Sequence, residues 1–191
     1  DRGKQAEDQV PMCGVPYHAV DGYLNRWFIE PNMRGCYPQD MIELYRSKGI
    51  VLPEFKAEDR ALISQKLDFI GLNYYNDFYV RADEQRWPLG FTIENPKNVP
   101  VTDREWPITE DGFTRMLLRL TREYGVPKIL VTENGASYPD VVDLNGMVED
   151  GARCDFLRRH ILAMHRAMEQ GAPVAGYFLW SLLDNFEWGC G

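Results

Sequence analysis

Apolar residues recur along this chain in two rhythms, short unbroken runs and one-sided stripes. Phe69-Ile70-Gly71-Leu72-Asn73-Tyr74-Tyr75, Ile129-Leu130-Val131 and the stretch from Val174 to Leu182 are the runs, and runs of that length predict buried strands. Stripes lie between them. Phe113, Leu117, Leu120 and Tyr124 fall at intervals of four, three and four, which predicts a helix over 110–124 ended by Gly125 and Pro127. Leu157, Ile161, Met164 and Met168 repeat those intervals and predict a helix from about 151 to 170, closed by Gly171 and Pro173. Earlier, Pro38 opens and Gly49 stops a predicted helix with Met41, Leu44 and Tyr45 on one side. A shorter helix is predicted over 58–67. From Arg81 to Pro107 the pattern dissolves into charge and proline, and a loop that long in a compact domain is more often functional than accidental. Residues 137–148 read as a second loop. Short, apolar strands alternating with helices indicate a parallel sheet covered by helices, an α/β fold.

The formal net charge of -8 argues against nucleic acid or an anionic membrane as partner, because phosphate is repelled. Cys13, Cys36, Cys154 and Cys190 contain no C-x-x-C pair, so neither a zinc site nor a disulfide framework is expected. No apolar run reaches membrane-spanning length, and Asp1-Arg2-Gly3-Lys4-Gln5 is too polar for a secretory signal. A cytoplasmic chain is expected.

In parallel α/β proteins the working residues sit at the carboxyl ends of strands. Glu133, Asn73, Tyr75, Glu187 and Trp188 all fall at or just past such ends. Asn73 and Tyr75 are two apart and share one face of a strand, from which a tyrosine hydroxyl could hydrogen-bond a carboxylate and stabilise its ionised form. Read alone, Glu133 fits either that role or a cap on the next helix. Trp180-Ser181-Leu182-Leu183-Asp184-Asn185-Phe186-Glu187-Trp188 places a carboxylate between two indoles, the surroundings a sugar ring favours: its C–H face packs on an aromatic while its hydroxyls seek charged acceptors. His160 and His165, five apart, do not share a helix face and read as helix surface. Trp87 and Trp106 read as loop packing.

Asp68 through Tyr75, Val131-Thr132-Glu133-Asn134-Gly135 and Gly176 through Trp188 resemble, in order and separation, motifs of the family 1 glycoside hydrolases, the β-glucosidase family. Asn25 to Pro31 and Arg34 to Pro38 are similar to that family's segment leading into its sixth strand. The resemblance spans roughly residues 21–191. It implies part of a (β/α)8 TIM barrel comprising strands six to eight and their helices, and a retaining β-glycosidase acting on β-glucosides or related oligosaccharides. It assigns Glu133 as the nucleophile, with Asn73 and Tyr75 beside it and the tyrosine in contact. By the same resemblance Glu187 matches the carboxylate that accepts hydrogen bonds from two sugar hydroxyls, Trp180 the ring under the sugar and Trp188 another wall of that subsite. No metal or organic cofactor is implied.

Two features depart from that pattern. The family's acid/base glutamate belongs to a T-x-N-E-P motif, and no N-E-P occurs in the 191 residues. Pro11 through Leu24 resemble instead the N-terminal domain of the mismatch-repair protein MutS, although residues 1–24 contain no Phe-x-Glu motif that would probe DNA. These features divide the chain into a foreign, MutS-like segment over 1–24 and a glycosidase portion over 25–191. Three readings follow: a glycosidase of which this chain holds the nucleophile half, a truncated or chimeric remnant that binds sugar weakly at most, and a nucleic-acid module that the acidic balance disfavours. A barrel cut to three strands has open sheet edges, so a complementary barrel fragment or self-association is expected to close it.

Overall fold

The computed structural model describes residues 15–190; most of the MutS-like segment, residues 1–14, lies outside the described residues. The chain forms two compact units. One takes the described residues up to Lys66 together with Phe78–Pro96, and the other takes Leu67–Asp77 together with residues 97–190.

The first unit is mainly helical. α1 (Val15–Asp21) runs through a π-helical turn (Gly22–Arg26) into α2 (Trp27–Arg34), followed by α3 (Gln39–Ser47) and α4 (Ala57–Ile63). The helices before residue 35 have no counterpart in the apolar pattern. Arg26 holds this turn: it donates to Asp21 at 2.9 Å and to Asp40 at 2.6 Å, and Asp40 is thereby held below the usual carboxylate range. Trp27 packs on Tyr37 and Tyr45, and Tyr37 on Phe55. α3 follows the expected bounds, with Met41 buried, whereas α4 ends four residues before the predicted limit. The predicted long loop contains a hairpin, β2 (Val80–Ala82) against β3 (Phe91–Ile93), antiparallel. Its strands carry too few apolar residues to stand out.

The second unit is a parallel three-stranded sheet with two helices. β1 (Ile70–Asn73), β4 (Ile129–Asn134) and β5 (Val174–Leu179) are ordered β1-β4-β5, with α5 (Glu110–Arg122) before β4 and α6 (Gly151–Glu169) before β5. Both outer strands are shorter than expected. β1 stops at Asn73 rather than Tyr75, and β5 stops at Leu179 rather than Leu182. α5 buries Phe113, Leu117 and Leu120 as the stripe predicts.

α6 departs from its prediction. Ile161 and Met168 are 45% and 43% exposed, and the buried row is Phe156, His160, Ala163 and Ala167. The intervals are the predicted ones, but the face is rotated by one residue. Small residues bring α6 close to α5, so that Thr114 donates its hydroxyl hydrogen to the Ala163 carbonyl at 2.9 Å. The expectation that His160 lies on the helix surface is therefore wrong: it is fully buried and stacked on Phe156, with ring centroids 3.9 Å apart. His165 does lie on the surface.

Candidate active site

The nucleophile candidate is placed by a break in strand geometry. Ile129 and Val131 point into the core, and strict alternation would send Glu133 the same way. The β1–β4 register instead slips between Leu72 and Asn73, so that Leu72 pairs with Val131 but Asn73 pairs with Glu133. A bulge of this kind re-aims the side chains beyond it. Thr132 and Glu133 both turn to the face of Asn73 and Tyr75, and Asn134 turns inward. Thr132 donates to Asn73 Oδ1 at 2.6 Å, and the Tyr75 hydroxyl donates to Glu133 Oε2 at 2.6 Å.

Burial, followed by the hydrogen bond to Glu133, pushes the Tyr75 phenol well above its ordinary range. Tyr75 therefore keeps its proton and serves Glu133 as a donor at any physiological pH.

Asn134 ties this arrangement together. It is fully buried. Its amide donates to the Tyr74 carbonyl at 2.7 Å, its side-chain oxygen accepts from the Tyr177 hydroxyl at 2.7 Å, and its backbone carbonyl accepts from the Trp180 amide at 3.0 Å. All three strands of the sheet thus meet at this one residue. A Cβ on neighbouring Gly135 would collide with the Trp180 carbonyl oxygen, so only glycine allows this approach. Tyr74 turns its ring to the helices, stacking on Phe113 at 4.9 Å and hydrogen-bonding Thr109 and Asp77.

Glu187 and Trp180 meet through the indole N–H, which donates to Glu187 Oε2 at 3.3 Å. Glu187 sits in a turn with φ 44°, its amide bonded to Asn185 at 3.0 Å. Trp188 is 85% exposed. Of the six residues expected at the site, Tyr75 joins Glu133 directly, Trp180 joins Glu187, Asn73 pairs with Glu133 in register while its side chain engages Thr132, and Trp188 stands open to solvent.

Two residues of the 97–109 loop also reach this place. Trp106, expected only to pack its loop, sets its ring edge-on to Tyr75 at 5.3 Å. The Arg104 guanidinium lies 5.5 Å from the Trp106 ring and 3.7 Å from Glu187 Oε1. No local motif marks either residue, since their nearness comes from a turn in which Thr102 and Trp106 bond backbone to backbone. Among the described residues no group of three or more His, Cys, Asp or Glu could hold a metal ion, and no helix is long and apolar enough to cross a membrane.

Known proteins share this arrangement of chain. Residues 15–191 match Glycosyl hydrolase family 1, a match that begins inside the segment likened to MutS. Beta-glucosidase A of Acetivibrio thermocellus is 39% identical over 168 residues, which are 87% of this chain and 37% of that protein. Beta-glucosidase A of Thermotoga maritima is 40% identical over 84% of this chain and 35% of its own. In structure, the family 1 β-glucosidase of Thermotoga maritima superimposes with a TM-score of 0.82 at 37% identity, over 91% of this chain and 38% of that one. A β-glucosidase from Exiguobacterium marinum gives 0.84 at 35% identity, over 98% and 41%. The chain thus spans little more than a third of the relatives it matches, and by sequence and fold alike it belongs to Glycosyl hydrolase family 1.

Proposed function

We propose that this chain carries the nucleophile half of a retaining β-glycosidase acting on β-glucosides or related oligosaccharides. The observation that carries this reading is the 2.6 Å bond from Tyr75 to Glu133 at the carboxyl ends of neighbouring parallel strands. With Oε2 engaged by Tyr75, Oε1 of Glu133 attacks the anomeric carbon. The C–O bond to the leaving group breaks, its electron pair goes to the departing oxygen, and a glycosyl ester forms on Glu133. Water then hydrolyses the ester with inversion at the same carbon, so the two steps together retain configuration.

Trp180 lies under the sugar, Glu187 accepts two of its hydroxyls, and Asn73 and Trp188 complete the walls. The relatives fit a sugar ligand: the Thermotoga maritima β-glucosidase has been solved with noeuromycin and with cyclophellitol. In retaining glycosidases the acid/base carboxyl stands ~5–5.5 Å from the nucleophile. We place that group outside these 191 residues, and read β1, β4 and β5 as strands six to eight of a (β/α)8 barrel. A complementary barrel portion, or a second copy, would then cover the half-exposed Phe178 and Leu179 of β5. A MutS-like origin for the residues before the family match rests on their sequence alone.

A dinitrophenyl fluoroglucoside tests the reading, because its leaving group departs without a proton and the missing acid is not needed. Mass spectrometry of the protein carrying this chain should find one glycosyl label, on the peptide holding Glu133, and none after Glu133→Gln. No label at saturating reagent would refute the proposal. The 191-residue chain alone should turn over cellobiose only at a trace rate, since loss of a positioned general acid costs ~10²–10⁴-fold; robust hydrolysis would show that the acid lies within it.

A further inference from the structure

Arg104 is a link in an unbroken chain of contacts between the two carboxylates. Glu133 is held by Tyr75, Tyr75 packs on Trp106, Trp106 packs under Arg104, Arg104 pairs with Glu187, and Glu187 accepts from Trp180. The turn that brings Arg104 there holds Glu105 at φ 59°, a left-handed backbone that is uncommon outside glycine and persists only where its surroundings impose it. Val101 and Pro107 bridge across the base of this turn. The side chains of Arg104 and Glu187 are 25% and 32% exposed, open enough to meet a ligand and covered enough that their charges are not fully screened.

A separation of 3.7 Å is too long for a good hydrogen bond. The guanidinium therefore balances the charge of Glu187 while keeping donor capacity. A sugar hydroxyl is donor and acceptor at once. A carboxylate can accept its hydrogen bond, and only a donor group can fill its lone pair. Arginine, whose planar fork is steadied here by the Trp106 ring, is suited to that task.

We propose that Arg104 is a specificity-determining residue of the sugar site, reading from the donor side the same hydroxyl that Glu187 reads as acceptor. The inference rests on the reading of Glu187 as the sugar-binding carboxylate. It makes the site selective for a free hydroxyl at one ring position. A deoxy sugar leaves two charged groups without their ligand, and such losses discriminate far more strongly than a missing methylene does.

The test compares the unsubstituted protein with Arg104→Met and Arg104→Lys on dinitrophenyl glucoside and on its deoxy analogues, one hydroxyl removed at a time. Arg104→Met should raise KM for the parent sugar about tenfold, the effect of one hydrogen bond to a charged group, with a smaller effect on kcat. The penalty for deleting one particular hydroxyl should shrink by about the same factor, and the penalties at other positions should stay as they were. Arg104→Lys, which keeps the charge and loses the planar stack, should fall between. Equal deoxy penalties in Arg104→Met and the unsubstituted protein, or a uniform loss across all analogues, would overturn the inference. Labelling of Glu133 in the unsubstituted protein separates the two failures: without it the glycosidase reading falls as well, and with it only the role of Arg104 does.

Discussion

Glu133 lies at the carboxyl end of one parallel strand and Glu187 beyond the end of another, yet the protein holds them by different means. Glu133 lies on the central strand, flanked by β1 and β5, and takes a short 2.6 Å bond from a tyrosine that cannot readily ionise. The next residue, Asn134, is fully buried and bonded toward both neighbouring strands. Glu187 stands on an irregular turn, with contacts of 3.3 and 3.7 Å and with Leu182 92% and Trp188 85% exposed nearby. The difference suits the two roles proposed for them. For the proposed nucleophile, an attacking oxygen loses rate steeply when it is misplaced by an ångström, and Glu133 and its neighbour Asn134 are correspondingly held by internal hydrogen bonds. A group that recognises hydroxyls gains its final geometry from the ligand it binds.

The largest expected effect separates the two carboxylates by kinetics. Glu133→Gln should abolish labelling and cut turnover of dinitrophenyl glucoside by at least ~10⁴-fold in kcat, as removal of a nucleophile does. Glu187→Gln should act mainly on KM, by about 10- to 100-fold, because it removes binding shared by ground and transition states. Equal losses in kcat for the two variants would erase the contrast. Next in size is Asn134→Leu. It leaves the Tyr74 carbonyl and the Tyr177 hydroxyl without their partner, at about 1–3 kcal/mol for each buried group. Urea unfolding should show the loss directly, and the labelling rate should fall along with it. An unchanged midpoint would mean that the strand ends are held together by something else.

How much of this was legible in the sequence depends on how local its cause is. The α5 stripe reads correctly because its four apolar residues have no competing row. On α6 two rows share the intervals four, three and four, one of large side chains (Leu157, Ile161, Met164, Met168) and one that includes two alanines and a histidine. Hydrophobicity favours the first, but packing against α5 selects the second, because small residues allow close approach. Glu133 was found through its motif. Its orientation was not readable, since alternation alone would bury it with Val131 and only the pairing with β1 shows the bulge. Arg104 and Trp106 lie in a stretch without periodicity, and their place beside Tyr75 and Glu187 is set by tertiary contacts that no local pattern encodes.

His160 offers the smallest effect and probes the packing beneath Glu133. It stacks on Phe156, and its ring lies 6.3 Å from Tyr74, whose carbonyl receives Asn134. Nδ1 lies 2.9 Å from the Phe156 carbonyl, which makes it the protonated nitrogen, and Nε2 is buried with no hydrogen-bond partner. Burial lowers the pKa of this imidazole; the hydrogen bond to the Phe156 carbonyl and Glu110 pull the other way, and Arg159 adds to the lowering. The unfolded chain therefore takes up a proton at this residue at a higher pH than the folded one. As pH falls below the ordinary histidine value of about 6.5 the unfolded state gains protons first, and stability drops by up to ~1.4 kcal/mol per pH unit. His160→Phe keeps a ring on Phe156 and removes the titration. The thermal midpoint of the unsubstituted protein should fall more steeply than the variant's between about pH 6.5 and about pH 5, and the two should run parallel above about pH 7.5. Parallel curves throughout would mean that His160 takes up its proton at the same pH folded and unfolded, and that the packing under Tyr74 does not exclude the charge.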